Sequence, residues 1–518
     1  MKVAITACLL MACAGHEQAP DTASANAQSA LAGGADVVLR VDVGGTRRAI
    51  SPLIYGINDH RDIMDSHPGV FTFRRFGGNR SSAYNWENNA SNAGEDYHHS
   101  SDAFFGESNE PARYVLDFIA RAQRDGAEAL VTIPLLERVA RDKNGPVAQD
   151  EIASRFVVSR SRSSGEPVTT PDSTDDVVYQ DAFAARVVRE HPRISFSLDN
   201  EPGSWNVTHP RIHPQRVTYA ELITRSVDYA RAIRRVAPNS TIYGPASFGL
   251  AGWLSLAGAP DAAGRDFIDV YLDAMARAET GGTRLLDVFD VHFYPSPDFE
   301  GQPIAQVHGD AAGDLRMQLP RSLYDDGYEE PSWIVRDVLH EPINLLPRLT
   351  RTIREHYPGT KLSITEYNYG GGGDISGAVA QADVLGAYGR HGVHAAAFWE
   401  LWQQPTEFIV AAFDVFQRPG DLPPFARTSL PAESNNVEKV GVWASVDEAT
   451  NRVSVVVIHR SRDSLRLRVD AGETSGVARR VVLGASSSSL QAAEDISSTN
   501  GHYDFVSRGP SVTYLSIE

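Results

Sequence analysis

At 518 residues, with 42% hydrophobic and 22% charged side chains, the chain has the make-up of a globular protein. It is long enough for one large barrel plus a smaller domain, and too apolar for disorder over most of its length. A formal net charge of −18, with no cluster of Lys and Arg, excludes a nucleic-acid partner, because such clusters carry phosphate binding.

The chain opens "MKVAITACLLMACAGHEQ": one lysine, a short apolar run, then Leu10, Met11, Ala12 and Cys13. That order resembles a bacterial lipoprotein signal, in which the cysteine becomes the lipidated first residue. The competing reading is a plain secretion signal cut near Ala14 or Gly15. Both readings export the protein, either as an outer-membrane-anchored lipoprotein or as a secreted or periplasmic one. Residues 1–13 are assigned to the signal, and residues 14–35, rich in Ala, Ser, Gly and Asp, to a flexible tether. The two cysteines, Cys8 and Cys13, both fall in the signal, so the remainder is expected to hold no disulfide and no thiol nucleophile. No later stretch approaches ~18 consecutive apolar residues.

"DVVLRVDVGG", from Asp36, alternates apolar and polar residues as a half-buried strand does. From about residue 51 to 424 the pattern changes, and short apolar runs alternate with helical segments. The runs read as strands are "PLIYGIN", "FTFRRFGGN", "ALVTIPLL", "ISFSLDN", "TIYGPA", "FDVHFYP", "KLSITEYN" and "AAAFWELW". Between them lie amphipathic helices. In "TYAELITRSVDYARAIRRVAP", Tyr219, Leu222, Ile223, Val227, Ala230 and Ile233 share one face, and "ARYVLDFIARAQRDG" stops at Gly126. Eight strand-helix units predict an α/β fold, a (β/α)8 barrel, with function at the C-terminal strand tips. A doubly wound sheet lacks its Gly-x-Gly-x-x-Gly mark here. After residue 425 period-2 runs return in "KVGVWASV", "RVSVVVIHR", "SLRLRVD", "ARRVVLG" and "SVTYLSI". Residues 36–50 and 425–518 are therefore expected to form an all-β sandwich built from both termini, structural in role, with glycan binding as the alternative.

Two of the barrel runs end on carboxylates. "SFSLDNEPGSW" places Glu201 at the fourth strand tip, and "KLSITEYNYGGGG" places Glu366 at the seventh, before a glycine run that would leave backbone room beside a ligand. These tips face each other across the mouth. Two carboxyl groups aimed at one point are what glycosidic cleavage needs, ~5 Å apart for retention and ~6.5 to 9.5 Å for inversion. The opposing reading of either glutamate is a salt-bridged residue of the barrel rim.

With "RRFGGNRSSAYNWENNASNAG", "SLDNEP", "THPRIHP", "FDVHFYP", "RSLYDDGYEEPSWI", "ITEYNYGGGGDISGAVAQADVLG" and "AAAFWELW" on view, the chain resembles glycoside hydrolase family 44. That is the endoglucanase and xyloglucanase group within a clan of retaining (β/α)8 enzymes. The resemblance implies a retaining endo-β-1,4-glucanase acting on cellulose-like chains or xyloglucan, with mixed-linkage glucan and xylan as further candidate substrates. It implies Glu201 as general acid/base, Glu366 as nucleophile and Asn200 as partner of the sugar 2-hydroxyl, with Asn79 added to the substrate-binding set. It also implies a structural calcium, for which Glu87, Asp102 and Asp142 are the candidate ligands, while catalysis itself needs no cofactor. Phe76 stands where the family pattern has Trp, which could alter subsite shape.

Sugar faces stack on flat apolar surfaces, and Trp205 and Trp399 are the expected platforms, with Trp402 expected in the core. Tyr294 and Tyr367, at strand tips, are candidates to donate to a sugar or orient a carboxylate. His292 is read as a hydrogen-bonding partner near nucleophile or substrate and Asp290 as buried support; Asp199 is expected to brace a neighbouring loop. His209 and His213 sit among prolines and are read as loop structure. The connections 137–190 and 295–360 are expected to wall the cleft. A polysaccharide is the expected partner of a monomeric protein. Two other readings stay open: a metal-dependent hydrolase using Asp290 and His292, and a non-catalytic glycan-binding surface lipoprotein.

Overall fold

The protein is described by a computed structural model covering residues 34–171, 175–279, 281–401, 404–472 and 474–518. The signal sequence, all but the last residues of the tether, and Trp402 lie outside the described residues.

Eight parallel strands close into a barrel, in chain order Gly56–Asn58, Phe73–Phe76, Glu128–Ile133, Ser195–Leu198, Thr241–Ser247, Val288–Phe293, Lys361–Tyr367 and Ala395–Phe398. Each run read as a strand from sequence covers one of these, three of them missing a single residue at one end. The physical reason they read so clearly is that inner and outer faces are both buried. Phe73, Leu130, Tyr243, Val288, Ala395 and Ala397 form the barrel floor with Leu53. Phe76, Val131, Ile242, Phe289 and Ala396, of opposite parity, pack outward under the helices. Parity then fixes what fills the mouth: Arg75 lies two residues beyond the inward Phe73, and Asp290 and His292 lie two and four beyond Val288. The helices expected from periodicity run Tyr219–Val236 and Arg113–Arg124; Gly126, just past the second, has φ of +77°.

Two further sheets pack as a sandwich. Val37–Val41 is inserted between Ala432–Ser434 and Ser464–Asp470, with His502–Arg508 beyond, so the N-terminal strand is held by C-terminal ones. The larger sheet has seven strands, centred on Val440–Val446, Val453–His459 and Ser511–Ile517. Its two faces divide by parity. Val453, Val455 and Val457 meet the four-stranded sheet, whereas Val456 and Ile458 join the barrel core. The polar edge strand Gln491–Ser497 has little apolar signal and was not foreseen.

Where sandwich meets barrel, Asp383 on the helix Ile375–His391 accepts from Arg460 Nη2 at 2.6 Å and Trp443 Nε1 at 2.9 Å, and both charges are fully buried. Breaking such a pair from one side strands a buried charge, at a cost of about 3–5 kcal/mol. Asp383→Ala is expected to lose that much unfolding free energy in urea titrations, and Asp383→Leu combined with Arg460→Met to recover most of it. Equal losses in the single and double variants would contradict a pair that matters through its charges.

Candidate active site

Strand parity alone would turn Glu366 away from the mouth, because Thr365 beside it already points inward to Asp290. The ladder shifts register between Ile364 and Tyr367, and this irregularity aims both Thr365 and Glu366 inside. On the fourth strand the ladder stops at Leu198. Asp199 and Glu201 then adopt left-handed φ of +67° and +45°, which folds the tip into the mouth. Strain of this kind on non-glycine residues gathers at functional sites. The two glutamates and His292 converge: one oxygen from each carboxylate and one ring nitrogen lie within 4.8 Å of one another.

The two carboxylates have unlike surroundings. Glu366 Oε1 accepts from Arg75 Nη1 at 2.7 Å, and its Oε2 from the Tyr294 hydroxyl at 3.1 Å. Arg75 is wholly buried, so its charge-assisted bond to Glu366 is shielded from water. Glu201 has no such partner. Its Oε1 lies 2.7 Å from His292 Nδ1, and burial raises its pKa to about 8 against the distant pull of Arg75, with Asp96 adding to the rise. Burial lowers His292 to about 4, so the imidazole is neutral at ordinary pH. Burial, with Glu366 and Glu201 nearby, keeps the Tyr294 phenol protonated.

Arg75 also donates to Asn58 Oδ1 at 2.9 Å and Asn200 Oδ1 at 2.6 Å. Asn58 in turn donates to Thr365, Ala397 and Phe398 carbonyls, tying the first strand to the seventh and eighth. Asn200 accepts from Gly78 N and donates to Asn79 Oδ1, while Asn79 donates to Asp96. Arg75, Asn58 and Asp96 were not singled out from sequence. The usable signal was a basic residue of inward parity in a barrel strand, which demands a carboxylate opposite it. Asp199 accepts from the backbone of Leu135 and Leu136, from Ser82 and from Trp205, and so braces the loop after the third strand.

Several expected residues lie elsewhere. Trp205 is no platform: it is fully buried, with its indole N–H on Asp199 at 3.3 Å. The left-handed turn at Glu201 and the 3-10 turn Pro202–Ser204 carry it below the mouth. Tyr367 follows the register shift outward, where its hydroxyl accepts from Gln381 and its ring meets Tyr388. Phe76 sits in a buried aromatic cluster with Tyr84, Phe105 and Phe118 and shapes no subsite. The glycine run serves protein packing, since a Cβ on Gly370 would fall 2.5 Å from Ala305 and one on Gly372 1.8 Å from the Pro405 carbonyl. His209 bonds the neighbouring Thr208, and His213 ties their loop to Glu221 on the helix Tyr219–Val236.

Trp399 remains at the mouth, half-buried, with its ring edge on Gly78; a Cβ there would lie 2.5 Å from Trp399 Cη2, and Gly78 φ is +82°. Beside Tyr294 a cleft of about 880 Å³ runs past residues 295–306 to Trp333 and Asn368.

The donor sets do not fit the implied calcium. Asp102 is engaged at both oxygens by Arg80, and Asp142 at both by Arg155, so guanidinium already occupies the place of a cation. Neither these two nor Glu87 belongs to a convergent ligand group among the described residues; the group found there is Glu201, His292 and Glu366, and Arg75 lies against it. Asp290, held by Ser363 and Thr365, is not part of that group.

A family model described as glycoside hydrolase family 44 matches residues 90–297. Endoglucanase A of Paenibacillus lautus is 37% identical over 492 residues, which is 88% of this chain and 68% of that protein. The structure of a Paenibacillus polymyxa xyloglucanase from family 44 with xyloglucan superposes with a TM-score of 0.88 at 33% identity, covering 93% of this chain and 99% of that one. A family 44 endoglucanase from Clostridium thermocellum gives 0.86 at 35% identity, with the same coverage.

The raised pKa of Glu201 has a sign that stability measurements can read. Between its ordinary value of 4.5 and about 8, the folded state keeps a proton that the unfolded state releases. The stability this carboxyl contributes is therefore full below 4.5 and lost as pH rises through about 8. Glu201→Gln should flatten the fall in unfolding free energy across that window. Urea titrations at its two ends decide the point, and an unchanged difference would contradict the assignment.

Proposed function

The chain belongs to glycoside hydrolase family 44 and is a glycoside hydrolase with endo-β-1,4-glucanase activity, and from that premise we propose that it works by double displacement on Glu366 and Glu201. In the first step the Glu366 carboxylate attacks the anomeric carbon while Glu201 gives its proton to the departing glycosidic oxygen. The C1–O bond breaks, and a covalent glycosyl ester forms. In the second step Glu201, now a carboxylate, takes a proton from water as that water attacks the same carbon and releases Glu366. The observation that carries this reading is the short separation of the pair, within 4.8 Å oxygen to oxygen. A retaining site needs about 5 Å, and an inverting one must leave ~6.5 to 9.5 Å for a water. The unlike environments supply the division of labour: an arginine-held anion to attack, and a buried carboxyl near neutral pKa to protonate.

Asn200 retains one amide hydrogen beyond its bond to Asn79 and is assigned to the sugar 2-hydroxyl, with Asn79 fixing its orientation. His292 acts on Glu201 rather than on sugar. Trp399 is the stacking surface nearest the pair, and Trp333, 40% exposed, a second one along the cleft. Xyloglucan and unsubstituted β-1,4-glucan are the proposed substrates, on the strength of the relatives' activities. A polymer cannot enter a cell, so export accompanies this function. Lipidation at Cys13 is proposed from Leu10-Met11-Ala12-Cys13 alone. Labelling with a radioactive fatty acid should mark the wild-type protein and not Cys13→Ser, and an unlabelled wild type would leave plain secretion.

Glu366→Gln is expected to stop reducing-sugar release from xyloglucan. Glu201→Gln should lose about 10²–10⁴-fold on polysaccharide but far less on an aryl cellobioside whose leaving group needs no proton. NMR of the first product should show the β-anomer. An α-anomer, or full activity in Glu366→Gln, would sink the mechanism.

A further inference from the structure

Behind Glu201 lies a hydrogen-bonded chain that the two displacement steps do not use. Glu201 Oε1 is 2.7 Å from His292 Nδ1, His292 Nε2 is 3.3 Å from Thr365 Oγ1, and Thr365 Oγ1 is 2.6 Å from Asp290 Oδ2. His292, Thr365 and Asp290 are all fully buried, so no solvent intervenes. Asp290 Oδ1 is met by the Ser363 hydroxyl at 2.7 Å and by the Thr365 backbone N–H at 3.2 Å. These two donors, one of them a backbone N–H whose direction is fixed, favour the Asp290 anion, which then accepts from the Thr365 hydroxyl as well. A hydroxyl has one hydrogen. With that hydrogen committed to Asp290, Thr365 Oγ1 can only accept from the imidazole.

We infer that Thr365 is a positioning residue: by accepting the Nε2–H of His292 it leaves Nδ1 bare toward Glu201, so that Glu201 meets the imidazole as a proton donor. The chain thus selects one tautomer of a neutral histidine, and through it the acid form of the catalytic carboxyl. The proton on Glu201 is anchored to an acceptor until the leaving oxygen competes for it. Once it has departed, the bare nitrogen faces a carboxylate with no hydrogen to offer, and this drives Glu201 to take a proton from water. Other charged or titratable groups facing Glu201 are Arg75 from the second strand, Asp96 from the loop after it, and Glu366 and Tyr294 from the seventh and sixth strands. Of these, Glu366 alone bears on the histidine tautomer: its Oε2, 3.4 Å from Nδ1, pulls for a hydrogen there, against the pull of Thr365 at Nε2. Asp290 can hold the opposite pattern only if it is itself protonated. Thr365 would then donate to Nε2, and Nδ1–H would donate to a Glu201 carboxylate, with the same number of protons in all. Burial pushes Asp290 in that direction, and the Ser363 hydroxyl and Thr365 N–H oppose it.

The inference rests on Glu201 as acid/base, but the two can fail separately. Nitrogen-15 NMR of the intact protein with labelled histidine reads the tautomer without turnover, with His292 assigned by comparison with His292→Gln. Near neutral pH, Nδ1 should give a pyridine-type signal and Nε2 a pyrrole-type one; the reverse, or two imidazolium signals, overturns the inference. In the pH profile of kcat/KM on xyloglucan, Thr365→Val frees the tautomer and should move the basic limb down by about one unit. Thr365→Ser should restore its position. Ser363→Ala removes one of the donors that favour the Asp290 anion but leaves the Thr365 acceptor, and should move the limb in the same direction by clearly less. A basic limb unmoved in Thr365→Val, or moved equally by Ser363→Ala, assigns Thr365 a merely structural role. Thermal unfolding of each variant separates loss of fold from loss of positioning.

Discussion

The barrel mouth is organised around one guanidinium with no exposure to water. Arg75 reaches Glu366 on the seventh strand, Asn200 just past the tip of the fourth and Asn58 on the first, so a single side chain sets the spacing of three walls. A buried cation without a partner is not tolerated. That constraint holds Glu366 in place before any substrate arrives, which is what preorganisation means for a nucleophile.

The same charge explains why the pair can be unequal. Two carboxylates within 4.8 Å cannot both hold a negative charge cheaply in a largely buried site. Arg75 decides which one does, by standing against Glu366 and away from Glu201. His292, neutral and wedged between them at 2.7 Å and 3.4 Å, reinforces the difference, because it can accept from a protonated group but adds no positive charge. The result is a site in which identity of residue type and difference of role coexist through environment alone.

Much of this was legible in the chain. The eight strands stand out because burial on both faces makes each a short apolar run, and the alternating helices leave few other topologies. Glu201 and Glu366 stand out because acids at strand tips contradict the runs they end. Two of the misplaced residues share one cause, a local break in periodicity. The register shift at Thr365 and Glu366 turns Tyr367 outward, and the left-handed turn at Glu201 sends Trp205 beneath the mouth. Neither break has a glycine to announce it. Arg75 was hidden for another reason: it is one of two adjacent arginines, and only the parity set by Phe73 separates it from Arg74, which pairs outward with Asp125. Asp102 and Asp142 read as free oxygen ligands because their partners, Arg80 and Arg155, lie 22 and 13 residues away.

The seven-stranded sheet, covered on one face by its companion sheet and on the other by barrel helices, bears on how this enzyme can be rearranged. Val456, Ile458, Val512 and Tyr514 belong to the same core as the barrel helices, so cutting the sandwich away would bare a hydrophobic wall rather than free a catalytic unit. The barrel is not a portable cassette. Its natural boundary is the whole two-layer assembly from Val37 onward, and additional binding modules can be grafted outside that boundary but not in place of the sandwich.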